Sequence, residues 1–557
     1  MRKSTWQVCF WIPLVALILC GWTAPSARAQ VLIPDEALVN QRQVDDVLQQ
    51  GEILERAHRW SEALAFYEEA VRNHPQRDEL RGRLTAARTH LEVARRYADQ
   101  SYLASLERLD EQQALELYSE VLLKIDTYHV ADPGWKQLVW RGVNYLEIAT
   151  SEPAFAKRYP RPVALGATRN YRSELQTRVN FDGIQTRTQA VDAVAAAAQL
   201  ASKYYAVPSQ AAILEFTCAA VASLDQYSAY LTGSQLDEVF SQIEGNFVGL
   251  GIELKSEADS LLIVNVIPGG PAEAAGMRAN DRIIEVDGNS THTVSPDTAA
   301  DMLKGPEFSY VNVVLQAPDN TTRQLRIQRR LVDVPSVQDA RIIDSELGVA
   351  YFKLNSFQKT TSRDVDAALW ALHRQGMRSL VIDLRGNPGG LLNAAVEVAD
   401  KFLPAGTIVS TRGRSTREDF DYQAQEVGTW QVPLVVLIDG DSASASEILA
   451  GAIHDHHRGT IVGQRSYGKG SVQGIFPLSR YKAGIRLTTS KFYSPSGQAI
   501  SDHGVTPDVA VSLAKTRTTA RVTETGEIPG TAATDATLQA GLDAARKAVG
   551  LSISRAR

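Results

Sequence analysis

A serine at the junction of a strand and a helix, and a lysine set between two glycines, are the residues of this chain best suited to covalent chemistry. The serine lies in Asp439-Gly440-Asp441-Ser442-Ala443-Ser444-Ala445-Ser446-Glu447-Ile448-Leu449-Ala450-Gly451-Ala452, directly after the apolar run Leu434–Ile438. A strand that turns tightly into a helix leaves unpaired N–H groups at the helix start. Together with the helix dipole they favour negative charge and can stabilise a tetrahedral oxyanion. The same residues suit a plainer role, because Asp441, Ser442 and Ser444 are all good N-caps. On this stretch alone, capping is the better reading.

The lysine changes that balance. It lies in Gly463-Gln464-Arg465-Ser466-Tyr467-Gly468-Lys469-Gly470-Ser471-Val472-Gln473. With glycine on both sides it can be pressed into a tight site, where burial disfavours the ammonium form and leaves a usable base. The bland alternative is a solvated turn lysine. A third stretch, Ile382-Asp383-Leu384-Arg385-Gly386-Asn387-Pro388-Gly389-Gly390-Leu391, again turns a strand through glycines into a helix, and its bare N–H groups could complete an oxyanion hole.

These three motifs, in this order, resemble the carboxyl-terminal processing peptidases, or tail-specific serine proteases. Ser444 and Lys469 are 25 residues apart and Gln473 lies four beyond the lysine, which matches the family's spacing. The resemblance runs from about residue 189 to 513 and includes Leu224-Asp225-Gln226-Tyr227-Ser228-Ala229-Tyr230-Leu231 and Gly504-Val505-Thr506-Pro507-Asp508. It implies Ser444 as nucleophile, Lys469 as general base and Gln473 as the residue orienting it. It also implies oxyanion donation by the backbone of Ala445 and Gly390, and no cofactor. Gly386 stands where the family usually has asparagine, and Ser466-Tyr467 where it has Thr-Phe.

Asp455 matches a further acidic position. It follows Ser444 by eleven residues, which at ~100° per residue leaves about 20° of rotation, so an unbroken helix would put both on one face. We expect it to support the site rather than react. Glu447 reads as a helix-start carboxylate, not a catalytic one. His454, His456 and His457 open a rival, zinc or Ser-His-Asp chemistry. Their spacing does not share one helical face, however, and no Gly-x-Ser-x-Gly elbow surrounds Ser444. No metal site is expected.

The elements around these motifs define the architecture. At 557 residues, 44% apolar and 22% charged, the chain holds several packed domains, and its net charge of −6 argues against nucleic acid as the main partner. Arg2 and Lys3, an apolar run from Val8 to Leu19 and Ala27-Arg28-Ala29 read as a secretory signal over 1–29. Its removal takes the charge to −9. Gly21 and Trp22 lengthen the apolar run enough to keep an uncleaved anchor open, while Leu19 before Cys20 disfavours lipidation. The expectation is an exported, periplasmic or otherwise extracytoplasmic protein, membrane-anchored if the leader stays. Cys218, within an apolar stretch, reads as a buried core residue.

Residues 30–150 read as helical. Gly51, Leu54, Ala63, Tyr67, Ala70 and Pro75 have the spacing of one tetratricopeptide repeat, with an echo at Ala114, Tyr118 and Val121. Such a region could bind an adaptor, self-associate, or simply pack. Residues 151–235 read as a connector followed by a helical part of the protease domain. From 236 to 331 short strands alternate with turns, and Pro268-Gly269-Gly270-Pro271 with Asp281-Arg282-Ile283-Ile284-Glu285-Val286-Asp287-Gly288 resembles a PDZ domain of the bacterial protease type. By that resemblance Gly249, Leu250, Gly251 and Ile252 form the loop that captures the carboxylate of a peptide or protein tail. Residues 332–513 alternate strands and helices and read as an α/β protease core, and 514–557 as a flexible tail with a short helix at Leu538–Val549. The fold expected is therefore an α/β protease core with an inserted β-rich PDZ domain and an N-terminal all-helical, tetratricopeptide-like region.

The function expected is endoproteolysis near the C-termini of exported proteins by a Ser–Lys dyad. The competing class is a non-catalytic PDZ and helical-repeat scaffold on a protease-like fold; retention of serine, lysine and glutamine argues against it.

Overall fold

Four short apolar runs become the parallel centre of a six-stranded sheet: Val349–Leu354, Ser379–Asp383, Leu434–Ile438 and Thr460–Gly463 pair in that order. Val337–Asp344 closes one edge antiparallel and Val509–Ala510 closes the other. Strands this apolar must be covered on both faces. Leu380 and Ile382 enter one core beneath the helices Thr361–Arg374, Leu392–Asp400 and Ala445–Asp455, while Val381 between them points to the opposite face. This computed structural model describes residues 35–160, 166–257, 260–293, 299, 302–425, 428–511 and 535–556. The expected leader over 1–29 and residues 514–534 of the tail lie outside the described residues.

The opposite face of the sheet corrects one expectation. The chain end read as a flexible tail forms the helix Ala536–Ala556, longer than the short helix expected there. Its Leu542 and Ala545 are buried against Tyr351, Val381, Val435 and Leu437. Leu538, Leu542, Ala545 and Val549 recur at helical spacing, and the apolar sheet face needs that cover.

A second sheet carries the lysine. Its central strand Gly484–Tyr493 pairs antiparallel with Ala229–Leu231, Thr407–Gly413 and Ser471–Pro477. Ile485 and Leu487 from that strand enter a helical core built from Glu111–Tyr128, Trp135–Ser151, Arg187–Tyr205 and Ser209–Ala222. The last of these helices is buried around its whole circumference and includes Glu215. That carboxylate is held by Arg96 at 2.7 Å and by the hydroxyls of Tyr97 and Tyr102 at 3.0 and 3.1 Å, so the buried charge is fully partnered. Cys218 lies in this core, and burial pushes its thiol up to about 12, as expected of an inert core residue.

One domain boundary moves, and the expected connector holds helices. The boundary drawn at 150 falls inside this one core, which begins at Val93. The stretch read as a connector holds the helices Pro153–Arg158 and Ala167–Arg178, because Pro153 stands at a helix start, where its missing N–H costs nothing. The first compact unit ends at Leu91. It contains the helices Asp35–Arg56 and Trp60–Asn73 and the start of Asp78–Ala98, with Ala63, Tyr67 and Ala70 buried among them. Ala114, Tyr118 and Val121, the echo of that spacing, are buried in the helical core of the second unit instead.

The β-rich insertion is as expected: Ile252–Glu257, Ser260–Val266, Arg282–Val286, Tyr310–Gln316 and Thr322–Gln328 form its sheet around Ile263, Ile283, Val311 and Leu315. A two-stranded ribbon, Asn246–Gly249 with Arg330–Asp333, joins its two ends at one neck.

Candidate active site

Ser444 caps the helix Ala445–Asp455 immediately after the loop that leaves the Leu434–Ile438 strand. Its backbone has φ 56° and ψ −113°, a conformation rare for a residue with a side chain. Such a turn projects the serine away from the sheet, and Ser444 is partly exposed while its neighbours Ala443 and Ala445 are buried. The other serines of the motif serve the turn itself. Ser442 donates to Leu384 O at 2.8 Å and Ser446 donates to Asn387 O at 3.0 Å, which staple the serine turn to the glycine-rich loop.

That loop is shaped for donation. Asn387 is fully buried; its amide donates to Leu354 O at 2.7 Å and its side-chain oxygen accepts the Gly389 N–H at 2.8 Å. Gly390 follows at φ 140°, where an added Cβ would lie 2.1 Å from Phe357 O, so only glycine fits. Among the described residues the N–H groups of Gly390 and Ala445 meet no backbone or side-chain acceptor. An added Cβ on the intervening Gly389 would lie 2.9 Å from the Ala445 nitrogen, so the two candidate donors belong to adjoining turns. Gly386, the departure from the family pattern, sits at φ 71°, a conformation that asparagine also tolerates.

The lysine loop packs against residues 500–502. An added Cβ at Gly470 would lie 2.2 Å from the Ser501 nitrogen, so the flanking glycine is a steric requirement of the close approach. Lys469 is half-buried, and its amine lies 5.0 Å from the centroid of the Tyr227 ring. Burial pushes its pKa down, the Arg486 cation pushes it further, and the Glu447 carboxylate pulls partly back. A lysine so placed is neutral at a lower pH than a free one, as a base must be. Among the described residues no hydrogen bond joins the Ser444 hydroxyl to the Lys469 amine.

What brings the two residues together is Glu447. Its side chain is wholly buried and its carboxylate accepts four hydrogen bonds. Oε2 accepts from the N–H of Ser444 at 2.8 Å and of Lys469 at 2.9 Å; Oε1 accepts from the Ser466 hydroxyl at 2.6 Å and the Gly468 N–H at 2.7 Å. Reading Glu447 as a helix-start carboxylate understates it. The signal available was its setting: a lone acid in a helix whose residues Ala445–Ile453 are otherwise small or apolar cannot reach water and must find donors inside.

Two other expected residues sit apart from this centre. The Gln473 amide donates to the carbonyl and hydroxyl of Ser471, at 2.9 and 2.8 Å, and not to Lys469. Asp455 closes the far end of the serine's helix, bonding His454 at 2.9 Å and the Ser496 N–H at 3.0 Å. Burial alone would raise its carboxyl, but hydrogen bonds from Ser494, His454 and Ser496 hold it below its ordinary value. It supports the turn after the Gly484–Tyr493 strand. His456 bonds Thr407 O at 2.7 Å, so two of the three histidines are engaged structurally.

In the inserted domain, Leu250 and Gly251 leave their carbonyls to Ala272 and Ile267, at 2.8 and 2.9 Å. Their own N–H groups meet no backbone acceptor among the described residues, as a carboxylate-binding loop requires.

Comparison with known proteins bears on the family. Residues 348–511 match the model of peptidase family S41 and residues 241–316 that of the PDZ domain. The chain is 36% identical over 318 residues to the carboxy-terminal-processing protease of Bartonella bacilliformis, covering 56% of this chain and 72% of that protein. It is 39% identical over 268 residues to the carboxyl-terminal-processing protease of a Synechocystis strain, covering 47% of this chain and 62% of that one. A solved photosystem II D1 C-terminal processing protease aligns at 27% identity and TM-score 0.39, over 72% of this chain and 93% of that one.

Proposed function

Because the chain belongs to the carboxyl-terminal-processing proteases of peptidase family S41, we propose that it is an exported serine endopeptidase using a Ser444–Lys469 dyad. Its substrates are proteins cut near their C-termini. The observation that carries this reading is the shared Glu447 oxygen, which makes neighbours of a serine and a lysine from different elements.

Ser444 Oγ attacks the scissile carbonyl while the neutral Lys469 amine takes its proton. The N–H groups of Ala445 and Gly390 receive the developing oxyanion. Lys469 then protonates the leaving amine, and water hydrolyses the acyl-enzyme. Gln473 orients Lys469 only after turning from Ser471, and Lys469 must move from the Tyr227 ring to the serine hydroxyl. Binding of a tail at Gly249, Leu250, Gly251 and Ile252 provides the trigger for that rearrangement, so the resting enzyme is activated by its substrate.

The signal pattern in residues 1–29 supports export, to the periplasm or another extracytoplasmic site. The N-terminal helical unit offers an adaptor or self-association surface. Incubating casein, or a peptide with an apolar tail, with wild type, Ser444→Ala, and wild type plus chelator tests the reading. Cleavage lost only in Ser444→Ala supports it; cleavage lost to the chelator indicates a zinc hydrolase, and no cleavage by any form indicates a scaffold.

A further inference from the structure

A glutamate at the third position of a helix ordinarily needs to satisfy one N–H at the helix start. Glu447 satisfies that of Ser444 and three more donors from a different element, and its side chain is inaccessible to water. Among the described residues it has no ion-pair partner. An anion buried without a cation is costly, so its retention calls for a role that a neutral side chain could not fill.

Resting on the proposed dyad, we infer that the ionised Glu447 carboxylate is a positioning residue that clamps the nucleophile turn to the lysine loop and supplies the negative charge balancing Arg486 around Lys469. The clamp works through geometry. Only a carboxylate offers two oxygens that each accept two donors; an amide presents N–H groups to half of them. Among the described residues no other acceptor meets the Ser444 N–H in its unusual backbone conformation. The same four bonds fix Gly468 and Lys469, and hence where the lysine side chain starts.

The charge balance comes from every element packed on Lys469. Arg486 faces it from the Gly484–Tyr493 strand, Glu447 from the serine's helix, and Tyr227 from the segment before the Ala229–Leu231 strand. Tyr467 and Asp502 act on Tyr227 from the lysine loop and from the loop it packs against. Burial pushes the Tyr227 phenol up to about 12, so it stays neutral through the working range. Burial also raises the Glu447 carboxyl, against the pull of its four hydrogen bonds, so acid protonates the clamp sooner than it would a free glutamate.

The test is the pH dependence of kcat and KM for the full chain on a tailed peptide, comparing wild type with Glu447→Gln, Ser466→Ala, Ser444→Ala and Lys469→Ala. Glu447→Gln removes the anion that favours the Lys469 ammonium, so the alkaline rise should move to lower pH. Its plateau kcat should fall by at least about tenfold, with KM little changed. Ser466→Ala leaves the anion in place but removes one of its donors, so the acid limb should move to higher pH. A loss of kcat in Glu447→Gln with an unmoved alkaline limb, or full activity in that variant, would overturn the inference while leaving the dyad intact. If Glu447→Gln fails to fold, an unmoved acid limb in Ser466→Ala overturns it instead. Turnover surviving in Ser444→Ala or Lys469→Ala overturns the dyad, and the inference with it.

Discussion

Ser444 and Lys469, 25 residues apart in the chain, donate their backbone N–H groups to one oxygen atom, Oε2 of Glu447, at 2.8 and 2.9 Å. The serine reaches this point from the central parallel sheet, and the lysine from a loop leading into a different, antiparallel sheet. The proposed nucleophile and the proposed base, which meet only in the tertiary fold, thus have their backbones tied together by a third side chain.

The pH profile follows from the lysine's surroundings. In the proposed dyad only the neutral amine can accept the serine proton, and burial and Arg486 shift its pKa downward. On a tailed peptide, kcat/KM should rise with pH around a midpoint below the ~10.4 of a free lysine. Arg486→Gln, by removing a like charge, should move that midpoint up. A rise centred at the free-lysine value in wild type, or an unmoved midpoint in the variant, contradicts this.

Gly390 should tolerate no side chain. At φ 140°, with Phe357 O standing where a Cβ would go, Gly390→Ala forces the loop outward and takes its N–H away from the oxyanion. We expect kcat to fall about 10²–10³-fold, the range for losing one oxyanion donor. Active-site titration alongside a thermal melt separates this from unfolding, and near-normal kcat would remove Gly390 from the oxyanion hole.

How far the sequence carried the reading differs from element to element. The parallel strands were legible because their apolar runs admit little else, and the glycines beside Lys469 because they let a lysine between them be packed closely. Glu447 was read as a cap because three of its four partners lie on a loop about twenty residues away, and folding that loop back is a tertiary event. The helices Pro153–Arg158 and Ala167–Arg178 of the expected connector hid behind prolines, one of which opens the first of them. The Ala536–Ala556 helix was underestimated because its stripe of Leu538, Leu542, Ala545 and Val549 gains its meaning only from the bare sheet face it covers. Tyr227 carried no sign of its contact with Lys469, since the two segments lie far apart in the chain and meet only where both enter the antiparallel sheet.

The inserted domain should be separable at its neck. Asn246–Gly249 and Arg330–Asp333 pair with each other, so replacing residues 250–329 by a short linker preserves the ribbon. The deleted protein should lose its preference for tailed over tailless peptides. An unchanged preference, measured as the ratio of kcat/KM values, rejects tail capture by this domain.

Asp225 should matter for stability. Burial would raise its carboxyl, but hydrogen bonds from His129, Ser228, Thr488 and the Tyr227 N–H hold it well below the usual carboxylate range. A depressed folded pKa stabilises the fold above the unfolded value of ~3.9, and that stabilisation is lost as pH falls below it. Asp225→Asn should cost about 1–3 kcal/mol at neutral pH and flatten the acid loss. Urea titrations from pH 7 to 3 would show both; parallel curves for the two proteins would contradict the assignment.

The central claim is that Lys469 is the base for Ser444, and single-site removal tests it most directly. Turnover of a tailed peptide by Lys469→Ala and by Ser444→Ala, each shown to be folded, should drop at least about 10³-fold below wild type, to similar residual levels. Near-wild-type turnover by a folded Lys469→Ala variant would contradict the account.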